Sequence, residues 1–122
     1  MALQAAGVHI HPVTPDANGH VHLAAVMNVL ADELHVTHLM VEGGPAVQEG
    51  FLKRNLADRA WVIRSSLTIG ALDAPKAAAL PEDFAETTKL VTGSDSFTEY
   101  LNPGSPVYFE TRPSADVRAL GA

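Results

Sequence analysis

Residues 39 to 47 read Leu-Met-Val-Glu-Gly-Gly-Pro-Ala-Val, and no other stretch restricts the fold as tightly. Leu39, Met40 and Val41 predict a short strand, apolar throughout as strands buried on both faces of a parallel sheet are. Pro45 suits a first helical position, where the missing N–H would have no partner anyway. Val47, Phe51 and Leu56 then give the helix an apolar stripe as far as about Asn55. Between strand and helix the backbone must turn within two residues, so Gly43 and Gly44 are expected to supply dihedrals that a Cβ would strain.

The same corner has a chemical use. Glycines let a ligand approach the backbone, and the free amides of a first helical turn attract anions. With Pro45 lacking an N–H, the donors would be Gly44, Ala46 and Val47. Of 8 basic residues none precedes Lys53, so this corner is the anion binder that the first half offers. The plain alternative is a turn with no ligand. Glu42, at the C-terminal end of a strand, stands where ligands of α/β sheets bind; solvation, or pairing with Arg59 or Arg64, accounts for it equally well.

Around this junction the chain reads as alternating strand and helix. Ala2 to Ala6 followed by Gly7 looks like the end of a helix, which suggests a chain that starts inside a domain. Val8 to Pro12 alternates as a strand does, and Pro15, Asn18 and Gly19 mark a loop. Leu23, Val26, Met27, Leu30 and Leu34 recur at helical spacing. With Leu39 to Val41 this makes a right-handed βαβ unit. Arg59 to Ile69 predicts a long strand ended by Gly70, and Ala71 to Glu86 reads as loop. Thr88 to Thr92 and Phe97 to Leu101 read as strands; Asn102-Pro103-Gly104 is a turn signature, with Val107 to Thr111 completing a hairpin. The tail from Pro113 is expected to fray.

Composition narrows the class. A chain of 122 residues, 47% hydrophobic, fits a single domain. A net charge of -6 argues against nucleic acid or an anionic membrane surface as partner. Cysteine is absent, which removes thiol chemistry and suits a reducing compartment. With no membrane-length apolar run and no secretion signal at its start, the chain is expected in the cytoplasm.

The segment from Gly7 to Gly70 resembles the C-terminal half of the reductase domain of the bifunctional riboflavin biosynthesis protein, in the dihydrofolate-reductase-like superfamily. The resemblance rests on Glu42-Gly43-Gly44-Pro45, on Asn55-Leu56-Ala57-Asp58 (Asn where the family has Gly), and on Leu67-Thr68-Ile69-Gly70. It implies an N-terminally truncated α/β domain: a mixed, mostly parallel sheet, flanking helices and a C-terminal β-hairpin. It also implies a reductase that uses NADPH to open the ribosyl ring of a phosphorylated aminopyrimidine. Glu42 would contact substrate, and Gly43, Gly44, Pro45, Ala46, Val47, Gln48 and Gly50 would wrap the cofactor phosphates. The nearest cations for an NADP 2′-phosphate are Lys53 and Arg54, two to three turns into the helix. The rival class is a non-catalytic α/β remnant that forms a homodimer or associates with a missing domain half, its Gly-Gly corner purely architectural.

Other residues invite chemistry less strongly. All 6 histidines lie in the first 38 positions; His9 and His11 would share one strand face, as would His20 and His22, and zinc would need these pairs to converge. Exposed or hydrogen-bonded histidines are the simpler reading. Ser65-Ser66 lacks a partnered base, Glu82, Asp83 and Glu86 read as a solvated acidic cluster, and Trp61, alternating with Ile63, reads as core.

Overall fold

The computed structural model describes residues 2–107. The chain divides between Glu42 and Gly43 into two compact units, so the division falls inside the Glu42-Gly43-Gly44-Pro45 segment.

In the first unit, α1 (Ala2–Ala5) is the expected single turn. Gly7, at φ +80°, closes it: the Gly7 N–H donates to the Gln4 carbonyl at 3.0 Å and that of Val8 to Leu3 at 3.0 Å. Residues 8 to 12 form no strand, and neither do 39 to 41. Alternation signals which faces a strand would show, but a strand exists only where a neighbour takes its backbone groups. Among the described residues of this unit a single bridge joins Pro15 to Val21, across a turn in which the Asp16 carboxylate accepts from the N–H groups of Asn18 and His20, both at 2.9 Å. The expected βαβ unit is therefore absent from the described residues. Its helix is present as α2 (Leu23–Asn28), continued by one wider π turn (Val29–Glu33) in which Leu34 N–H reaches Val29 O at 3.1 Å. His22 caps α2, Nδ1 accepting from Ala25 N–H at 3.2 Å.

The second unit holds α3 (Pro45–Lys53), β1 (Arg59–Arg64), β2 (Ala85–Thr92) and β3 (Asp95–Leu101). Its sheet is antiparallel throughout, in the order β1-β3-β2, in place of the mostly parallel sheet expected. The turn that builds it is Gly93-Ser94. Gly93, at φ +61° in the first central position, gives the right-twisted two-residue connection that a hairpin prefers. The hairpin thus joins β2 to β3; the expected partner of Phe97 to Leu101, at 107 to 111, lies beyond the described residues from 108 onward. β1 stops at Arg64, short of the expected Ile69, because its partner runs out: Arg64 pairs with Ser96, and beyond that β3 turns into the hairpin. Residues 65 to 84 contain no helix or strand.

Phe51 of α3, Phe84 and Leu101 form the buried apolar core of the described residues. Trp61 is not part of it. At 55% exposure the indole lies on an open sheet face, tilted against Phe97 with ring centroids 5.9 Å apart. Its Nε1 donates to Glu99 Oε1 at 3.0 Å. Glu99 also accepts from Thr87 Oγ1 at 3.1 Å and meets Arg59 Nη1 at 3.4 Å.

The other polar centre lies where α3 and β3 end and β1 begins. Asn102 is 1% exposed. Its Nδ2 donates to Asn55 Oδ1 at 2.7 Å and to Ala57 O at 2.9 Å, while its Oδ1 accepts from Gly104 N–H at 2.9 Å. Asn55 sits at φ +54° just past the helix, a left-handed position that Asn tolerates and Gly prefers. The side chain that a Gly would lack accepts the bond from Asn102. Ser105 Oγ donates to the Asp58 carboxylate beside it.

Candidate functional site

The two glycines at the junction turn out to have different jobs. Neither adopts a positive φ, which overturns the expected dihedral requirement. Gly43 is needed for space: a Cβ there would lie 2.8 Å from Val47 Cβ and 2.9 Å from its Cγ1, closer than packed carbons approach. Gly44, the residue preceding α3, has φ -62° and ψ 171°, ordinary extended backbone for any side chain. A Cβ on Gly44 would meet nothing within 4 Å. Among the described residues, packing therefore leaves the backbone at Gly44 open.

The amides of this turn are also sorted. Val47 N–H donates to Gly44 O at 3.0 Å, and Gln48 N–H to the same oxygen at 3.1 Å. Val47 is thus engaged within the turn and is not the free donor expected; its side chain instead packs over Gly43. Gly44 and Ala46 are both exposed, and among the described residues neither N–H meets a protein acceptor. The donor set is accordingly two amides at the positive end of a helix of 9 residues. Pro45 fixes the entry angle, Gln48 and Gly50 are half-buried, and the Gly50 carbonyl accepts from Arg54 Nη1 at 3.3 Å.

The cations near the motif are occupied. Lys53 Nζ pairs with Glu49 Oε1 at 2.7 Å, while Arg54 reaches back along its own helix. Arg59 is held by Glu99, so it is not the mate of Glu42. Glu42 itself is exposed at the end of the first unit.

The remaining candidates stay apart. His9 and His11 share no strand; His11 Nδ1 lies 3.8 Å from Glu33 Oε2, His22 is the helix cap, and His38 Nδ1 lies 3.0 Å from Thr37 Oγ1. No group of three or more His, Asp or Glu able to hold a metal occurs among the described residues. Ser65 Oγ accepts from Leu67 N–H, a local turn contact. Glu82, Asp83 and Glu86 are exposed, with Glu86 on β2 rather than in a loop. None of the described helices is long and apolar enough to cross a membrane. Sequence reasoning missed Glu99 and Asn102, the two polar hubs; the alternation of β3 marks one as a strand residue and the turn signature marks the other, but burial is legible in neither.

No curated protein matches the chain. A family model, the RibD C-terminal domain, matches residues 3–94, a span that includes Glu42, the Gly-Gly corner, α3, β1 and β2. The chain belongs to the RibD C-terminal domain family.

Proposed function

We propose that this protein takes part in the NADPH-dependent reduction of a phosphoribosylaminopyrimidine in riboflavin biosynthesis. Family membership over residues 3–94 implies a riboflavin-biosynthesis reductase-like role; the cofactor and the substrate are the finer reading. One observation carries it: Gly44 leaves an opening that no atom of the described residues fills, beside two exposed amides, Gly44 and Ala46, with no acceptor among those residues. Anionic oxygens of a dinucleotide suit such donors, and the helix end favours negative charge there. NADPH, when bound, supplies the hydride; the chain contributes position and polarity. In this reading Gly43 to Gly50 line the cofactor, with the Gly44 and Ala46 amides as donors and Val47 as packing. Glu42 accepts hydrogen bonds from the substrate.

The geometry provides a clean variant. Gly44→Val finds open space and an allowed backbone, so the fold survives while the approach is blocked. Following NADPH fluorescence on titration, the wild type is expected to bind and Gly44→Val to lose most of the affinity, with circular dichroism unchanged. Equal binding by both proteins, or none by the wild type, removes the cofactor claim. Glu42→Gln is expected to leave NADPH binding intact and to weaken binding of the aminopyrimidine.

A further inference from the structure

The turn ahead of α2 is built around Asp16. Its carboxylate accepts from the N–H groups of Asn18 and His20, both at 2.9 Å, and its own N–H donates to His20 O at 2.8 Å. Gly19 completes the turn at φ +78°, with nothing within 4 Å of the place a Cβ would take. Asn18 and Gly19 are both exposed, and among the described residues no hydrogen bond engages the Asn18 side-chain amide. A free carboxamide thus stands next to a glycine in an open loop.

That juxtaposition has a chemistry of its own. The side-chain carbonyl carbon of an asparagine can bond to the amide nitrogen of the next residue, closing a succinimide ring, which is one reason asparagine is thermolabile. When the next residue is glycine, no side chain crowds that nitrogen and the backbone turns freely to meet it. The other asparagines lack this arrangement. Asn28 lies inside α2 and precedes Val29, and Asn55 precedes Leu56 with its amide oxygen bonded to Asn102. Asn102 is buried ahead of Pro103, whose nitrogen carries no hydrogen to lose.

We propose that Asn18 is a modification site that converts, without an enzyme, to aspartyl and isoaspartyl forms. The Gly19 nitrogen gives its proton to solvent base and bonds to Asn18 Cγ; the Cγ–Nδ2 bond breaks and ammonia leaves, taking a proton from solvent. Water then opens the imide at either carbonyl. The balance is one water consumed and one ammonia released, with nothing oxidised or reduced. Opposing the reaction is the bond from Gly19 N–H to Asp16 O at 3.0 Å, which must open first; at an exposed turn such openings cost little. The product adds a negative charge beside that of Asp16. In the isoaspartyl form the main chain runs through the former side-chain methylene, so Asp16 no longer holds the N–H groups of residues 18 and 20 together. The Pro15–Val21 bridge and the His22 cap of α2 follow directly in the chain, so loss of the turn reaches the start of that helix. None of this depends on the cofactor reading.

Peptide mapping by mass spectrometry tests it, on the full chain held in mildly alkaline buffer and sampled over several weeks. The wild type is expected to lose the Asn18 peptide steadily to two acidic products, the isoaspartyl one predominating, while Asn28, Asn55 and Asn102 stay intact. Gly19→Ala crowds the attacking nitrogen and is expected to slow conversion at least about tenfold, equivalent to about 1.4 kcal/mol in the barrier. Because alanine strains a positive φ, Asn18→Gln is the second variant. It leaves Gly19 and the Asp16 contacts in place but must close a larger ring, and is expected to convert at least about tenfold more slowly than the wild type. Amide exchange in α2 is expected to be faster in the isoaspartyl fraction than in fresh protein. Asn18 intact at the end of the incubation overturns the proposal, as does equal conversion at the other asparagines, or an Asn18→Gln chain that converts as fast as the wild type. Unchanged exchange in α2 overturns the link to the helix cap.

Discussion

Replacing Asn102 by Ala would remove three hydrogen bonds from a side chain that is 1% exposed. Two of the orphaned groups, the Asn55 amide oxygen and the Gly104 N–H, belong to exposed residues and can turn to water. The third, the Ala57 carbonyl, belongs to a half-buried residue and cannot turn so freely. Counting about 1 kcal/mol net for each bond, and somewhat more for the carbonyl left dry, the loss comes to about 2–4 kcal/mol. That is a large share of the roughly 5–15 kcal/mol that holds a domain together. Urea unfolding provides the assay, because Trp61 is the single tryptophan of the chain and sits on β1, paired with β3 at Glu99. The companion variant Asn55→Gly separates the terms. It loses the acceptor for Asn102 but relieves the positive φ, and the two changes, each of about 0.5–1 kcal/mol, nearly cancel. In the Asn102→Ala background no bond is left to lose, so Asn55→Gly becomes stabilising. A cost below about 1 kcal/mol for Asn102→Ala, or an Asn55→Gly effect identical in both backgrounds, would refute the claim that this pair holds the end of α3 to the end of β3.

The two glycines of the junction should part company in the same unfolding assay. Gly43→Ala overpacks against Val47 and costs about 1–3 kcal/mol, whereas Gly44→Ala changes stability by less than about 1 kcal/mol because the lower entropy of the unfolded chain and the poorer helix cap oppose each other. His22→Asp is expected to stabilise α2 by about 0.5–1 kcal/mol, a carboxylate being the better cap and well placed at the positive helix end; backbone amide exchange within α2 reads the change.

Much of the second unit was legible in the sequence. Pro45 and the stripe through Phe51 placed α3, and the Ala-Trp-Val-Ile run placed β1, because each signal is local. What was not legible depended on pairing. Leu39 to Val41 and Val8 to Pro12 carry strand patterns yet have no neighbour among the described residues, and strand periodicity is silent about neighbours. The connection at Gly93-Ser94 was not legible because Gly-Ser is a weaker turn signature than Asn102-Pro103-Gly104, and the burial of Asn102, which makes a turn residue a structural hub, is not revealed by composition. At the candidate site the sequence marks the segment Glu42 to Gly50 but not its division of labour: whether a glycine serves space or dihedral is decided by where Val47 points, and which amides remain free is decided by how tightly the first turn closes.

The two-residue connection at Gly93-Ser94 also sets an order of assembly. β2 and β3 meet across the shortest loop a hairpin allows, so their pairing carries little closure entropy and forms on the microsecond scale of isolated hairpins. β1 must find β3 from the far side of residues 65 to 84, a slower search. Refolding should therefore begin at the hairpin, with docking of the first strand, and of Trp61 with it, as the later and rate-setting event.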